Sequence, residues 1–117
     1  MTVAVCFPLR ELQHPNVCSF VGCVIDPTLS AILMEHCNRG SLLEVLTQDY
    51  IELVWAFRLT FAVDACRGLA FLHSKKILHG RLSSTNCVID NRWTLKLTGV
   101  IQSVWLYNVG VCVMCKY

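Results

Sequence analysis

The chain has 117 residues, is 55% hydrophobic and 15% charged, and carries a formal net charge of +2 with a mean hydropathy of +0.52. That length allows one modest domain, and the composition excludes a disordered or collagen-like polymer. Its basic residues are scattered and form no run, which argues against nucleic acid as a partner.

Leu9-Arg10-Glu11-Leu12-Gln13 reads as the end of a helix, halted by His14-Pro15-Asn16 because the residue before a proline avoids the helical region. Residues 17–25 are rich in β-branched and aromatic side chains and read as a strand, ended by Asp26-Pro27. Residues 29–35 form a second apolar strand, and the two pair as an antiparallel hairpin. Asn38-Arg39-Gly40 is a loop, and Ser41-Leu42-Leu43-Glu44 is a capping box that starts a short helix over 42–47. Between Trp55 and Ser74 the apolar residues Trp55, Leu59, Ala62, Val63, Cys66, Leu69 and Ala70 recur at helical spacing and predict the longest helix. Cys87-Val88-Ile89-Asp90 and Thr94-Leu95-Lys96-Leu97 read as a small hairpin turned by Asn91-Arg92.

Eight cysteines fit either a secreted disulfide scaffold or buried, reduced thiols. No charged, apolar leader follows Met1, and most cysteines sit inside apolar runs such as Val17-Cys18-Ser19-Phe20, so the second reading is preferred. No apolar run reaches the roughly 18 residues of a membrane span. The nearest, 100–115, is broken by Gln102, Asn108 and Gly110. Cys112-Val113-Met114-Cys115 is a C-x-x-C without the second pair or histidines that a zinc site needs.

The segment that carries most chemistry is His79-Gly80-Arg81-Leu82-Ser83-Ser84-Thr85-Asn86. It keeps the frame of a protein-kinase catalytic loop, H-R-D-L-x-x-x-N, in which the Asp accepts the substrate proton and the Asn holds magnesium. Arg81 stands where that Asp belongs, and a guanidinium does not deprotonate. Together with Leu12-Gln13-His14-Pro15-Asn16, Glu35-His36-Cys37-Asn38-Arg39-Gly40-Ser41-Leu42, Gly68-Leu69-Ala70-Phe71-Leu72-His73 and the continuation Cys87-Val88-Ile89-Asp90, the loop resembles the kinase-homology domain of receptor-type (membrane) guanylate cyclases.

The resemblance implies a partial α+β protein-kinase-like fold over 9–98: the end of the small lobe, the hinge and the first half of the large lobe. It also implies ATP beneath the hinge, with Met34 guarding the back of the pocket, the backbones of Glu35 and Cys37 bonding adenine, and Val88 beneath the ring. The same residues, Met34, Cys37 and Val88, also read simply as core of a hairpin and loop. Asn86 would hold magnesium bridging the phosphates, or would cap its own loop. His79 would be structural, neither acid nor base. The parent would be a homodimeric receptor at the plasma membrane, with this segment on the cytoplasmic side and a cyclase domain, absent here, converting GTP to cyclic GMP.

Departures from the family are large. No glycine-rich loop or phosphate-pairing Lys precedes Leu9, residues 1–8 match no family pattern, and Val5 lies near where the helix Glu would be. Gly99 replaces the metal-binding Asp, and the pattern is lost over 99–117, as it would be by read-through into intron sequence. No kinase activity is therefore expected. The long helix lacks the later helices that bury it, so the chain is expected to be marginally stable or to need a protein partner on the Trp55–Ser74 helix. A non-enzymatic interaction module, or a dominant-negative isoform acting through that helix, is the alternative function.

Overall fold

The computed structural model describes residues 10–25, 27–28, 30–100 and 112–116. Two strands, β1 (Phe20–Ile25) and β2 (Ser30–Glu35), form the expected antiparallel hairpin, running from Phe20 opposite Met34 to Ile25 opposite Ser30. An irregularity between Phe20 and Gly22 bends its start. The expected strand over 17–25 begins only at Phe20, because the backbone of 17–18 is claimed elsewhere. Val17 bridges His14 and Leu97, and the Cys18 amide donates to the Leu97 carbonyl at 2.9 Å.

Helix α1 (Leu42–Thr47) starts at the predicted capping box: the Glu44 amide donates to Ser41 Oγ at 3.2 Å, and the Ser41 amide donates to Glu44 Oε2 at 2.9 Å. Helix α2 (Trp55–Ser74) has the predicted ends. Phe61, Asp64, Gly68 and Leu72 point inward, whereas Trp55 is 74% exposed, Leu59 62% and Val63 47%. Apolar residues occur all round this helix, so periodicity alone cannot say which stripe the chain covers.

The second hairpin, β3 (Cys87–Ile89) and β4 (Leu95–Leu97), follows a single 3-10 turn at Ser84–Asn86. Asp90 Oδ1 accepts from the amides of Arg92 and Thr94, which closes the turn. The hairpin is fixed from three sides. Asn16 donates from Nδ2 to the Leu95 carbonyl at 3.0 Å and receives the Leu97 amide on its own carbonyl at 2.8 Å. Asp64 Oδ2 accepts the Leu95 amide at 3.1 Å. The loop before α1 is stitched to β3 through Arg39 N to Ile89 O and Ile89 N to Gly40 O. Leu72, Ile89, Leu95, Leu97 and Val45 are fully buried at this junction.

A fifth strand, β5 (Cys112–Lys116), lies parallel to β2, giving a three-stranded sheet of order β1-β2-β5. Among the described residues, no helix is long and apolar enough to cross a membrane. The described cysteines 18, 23, 37, 66 and 87 are free thiols, with 18, 37 and 87 buried.

Candidate functional site

The site lies where β2 runs out into residues 35–40 and meets the β3–β4 hairpin. Met34 is 8% exposed and lines a small apolar cavity with Leu12, Val17, Phe20, Leu97 and Val100. Glu35, next along, is held at both carboxylate oxygens: Oε1 accepts the Ser19 amide at 2.8 Å, and Oε2 pairs with Lys96 Nζ at 2.8 Å. Its backbone amide donates to the Ser19 carbonyl at 2.9 Å. Cys37 is buried, and its carbonyl accepts the Gly40 amide at 3.2 Å. Val88 is half-buried, pairs with Lys96 within the hairpin and bridges Ser41. Met34, Glu35, Cys37 and Val88 are thus gathered at one junction.

Lys96 was not foreseen from the sequence, yet it ties the hairpin to the hinge. Its signal was a lysine between two buried leucines, alternating in a strand. Asp90 Oδ2 stands 3.8 Å from the same Nζ. Burial disfavours the Lys96 charge, but the hydrogen bond and charge of Glu35, with Cys37 and Asp90, raise its pKa above the ordinary value. Cys18 and Cys37 are also coupled here. Cys18 donates its proton toward Cys37, and this bond, with burial, holds Cys18 far above the ordinary thiol range. Cys37, as the acceptor, is shifted down. Burial alone pushes Cys87 up.

Among the described residues, three groups have raised values and one a lowered value. Raised folded values mean the folded state holds protons more tightly than the unfolded chain, so that stabilisation is present below the unfolded pKa. It should begin to fall as the pH passes the ordinary thiol value of 9.0, and fall further beyond the ordinary lysine value of 10.5. Denaturant midpoints measured through that range should decline. A flat or rising profile would contradict the assignment.

The loop keeps its frame by internal hydrogen bonds. His79 is 3% exposed; its Nδ1 accepts the Arg81 amide at 3.1 Å, which leaves Nε2–H to donate to the Thr98 carbonyl at 2.6 Å. Both ring nitrogens are therefore engaged in holding backbone. Arg81 lies on the exposed side of the loop. Asn86 donates from Nδ2 to the Arg81 carbonyl at 2.7 Å, and its own carbonyl accepts the Thr98 amide at 2.9 Å. Gly99 has φ +80, a conformation that suits glycine. A Cβ there would sit 2.9 Å from Asn86 Oδ1.

The two positions that the resemblance pairs on magnesium are thus adjacent, and the atoms nearest the place of a side chain at Gly99 are those of the neutral Asn86 amide. A magnesium ion is usually bound through one or two carboxylates plus phosphates and waters. Asn86 and Gly99 do not make such a site. Among the described residues there is also no group of three or more His, Cys, Asp or Glu arranged for a metal.

Comparison with known proteins identifies the family of the chain. A family model for protein tyrosine and serine/threonine kinases matches residues 6–103, and the chain belongs to that family. Within it, the chain is similar to the kinase-homology region of receptor guanylate cyclases. It is 46% identical over 90 residues to guanylate cyclase D of Mus musculus, 43% over 91 to the resact receptor of Arbacia punctulata, and 44% over 91 to atrial natriuretic peptide receptor 2 of Bos taurus. Each alignment covers 77% of this chain but only 8 or 9% of the relative.

Proposed function

We propose that residues 9–98 are part of a regulatory pseudokinase domain that holds ATP at the hinge without transferring its phosphate. Nucleotide occupancy would modulate cyclic GMP synthesis by a cyclase domain outside this chain, within a homodimeric receptor whose kinase-like segment faces the cytoplasm. One observation carries the reading. The loop with the frame of a catalytic loop is held by hydrogen bonds of His79 and Asn86, while Arg81 stands at the position of the base in the sequence frame and Gly99 opposite Asn86 offers no carboxylate. A cation that stays protonated cannot accept the substrate proton, and the developing phosphoryl charge lacks its metal clamp.

Titration with a fluorescent ATP analogue should show saturable binding that ATP displaces and that magnesium chelation leaves in place. Labelled phosphate should not be transferred to any substrate, and Arg81→Asp alone should not restore transfer. Transfer that is lost on replacing Asn86 would sink the reading. Absence of any nucleotide binding would favour an interaction module, for which the exposed Trp55 and Leu59 of α2 are the supporting observation.

A further inference from the structure

Two thiols meet where the hinge begins, and the nucleotide reading uses neither. Cys18 lies just before β1 and Cys37 just after β2. The chain between them is already tied across this junction: the Ser19 amide donates to Glu35 Oε1 at 2.8 Å, and the Glu35 amide donates to the Ser19 carbonyl at 2.9 Å. Cys18 is 5% exposed and Cys37 6%, and the Cys18 thiol donates its proton to the Cys37 sulfur. Sulfurs in hydrogen-bond contact come to the disulfide distance of about 2 Å by small side-chain rotations. Cys18 also lines the small cavity beside Met34, which gives its side chain room to turn.

We infer that Cys18 and Cys37 are an oxidation site, a thiol pair that hydrogen peroxide converts to a disulfide clamping the segment before β1 to the hinge. The Cys37 sulfur is the attacking one, because it accepts the Cys18 proton and has the Lys96 ammonium near it, although Glu35 opposes the charge. It attacks one peroxide oxygen: an S–O bond forms, the O–O bond breaks, and the hydroxide released takes up the Cys37 proton as water. The Cys18 sulfur then attacks the sulfenic sulfur of Cys37. The S–S bond forms, the S–O bond breaks, and the departing hydroxide leaves with the Cys18 proton as a second water. Each sulfur is oxidised by one electron, and the peroxide is reduced by two.

The full chain, folded and treated with one equivalent of hydrogen peroxide, tests this without a variant. After alkylation in denaturant, an unreduced peptide map should show Cys18 joined to Cys37 with the loss of two hydrogens, reversed by dithiothreitol. The linked chain should have an unfolding constant lower by about a hundredfold, as closing a loop of this length implies. In Cys18→Ala the reaction should stop at the Cys37 sulfenic acid, trapped by dimedone, and the gain in stability should vanish. Peroxide added to the chain already unfolded in urea should scatter the bonds among the eight cysteines, since only the fold selects this pair. Cys18 and Cys37 recovered as free thiols after treatment of the folded chain, or joined to other cysteines, overturn the inference. So does a linked chain that unfolds at the parent's denaturant midpoint. Neither result touches the nucleotide reading, on which this inference does not rest.

Discussion

Replacing Asp64 by Ala is expected to cost about 3 kcal/mol, a large share of the 5–15 kcal/mol typical of a domain. Asp64 is 7% exposed on the inner face of α2, and its Oδ2 accepts the Leu95 amide at 3.1 Å. Leu95 is 1% exposed, so no water is at hand to replace the lost acceptor. A buried donor left without a partner bears its desolvation penalty in full, and the methyl of Ala leaves a void beside it. Asp64→Asn keeps a carbonyl oxygen within reach of the same amide and should lose about 1 kcal/mol. Chemical denaturation of the two variants, with the unfolding slope checked for constancy, measures the difference. Equal losses would mean that the carboxyl acts through charge and not through the Leu95 bond.

Asp64 also marks the limit of what the sequence disclosed. The ends of α2 and the capping box of α1 were legible because both rest on local rules: spacing of apolar residues, and a Ser and a Glu three apart. The kinase-like loop was legible because its frame is contiguous. Which face of α2 turns inward was not, since the inner face carries a carboxylate and a glycine while Trp55, Leu59 and Val63 face out. Apolar periodicity scores such a face as polar. Only the partner strand β4, with its amide at Leu95, explains why Asp64 belongs inside.

The same long-range logic limited the first strand. Residues 17–19 have strand-forming side chains, but Val17 and Cys18 give their backbone to β4 some eighty positions later, a pairing that no local pattern announces. At the candidate site, the hinge and loop positions were named from the resemblance, whereas Lys96 emerged only when its ammonium met Glu35. A single lysine in a short strand reads as a solvated face until the hinge carboxylate is placed over it.

Gly68→Ala should destabilise the chain by about 2 kcal/mol, although helix propensity alone predicts a gain of about 1 kcal/mol. Gly68 lies in the middle of α2, where glycine is normally a defect. A Cβ at this position would meet the Asn16 carbonyl oxygen at 2.7 Å and Leu97 Cδ1 at 2.9 Å. The leucine methyl can turn aside; the carbonyl cannot, because it already accepts the Leu97 amide at 2.8 Å. Relieving the clash therefore means lifting α2 from the hairpin or surrendering that hydrogen bond. Overpacking of this kind costs about 1–3 kcal/mol, and a lost buried bond adds about 1 kcal/mol, so the steric cost outweighs the propensity gain. Gly68→Val should be worse, and Cys66→Ala, two residues along the same helix on its exposed side, should change stability by less than about 0.5 kcal/mol. Denaturant midpoints of the three variants decide the sign. If Gly68→Ala proves more stable than the parent, the close approach of α2 to Asn16 and Leu97 is wrong, and with it the way the hairpin is held beneath the hinge.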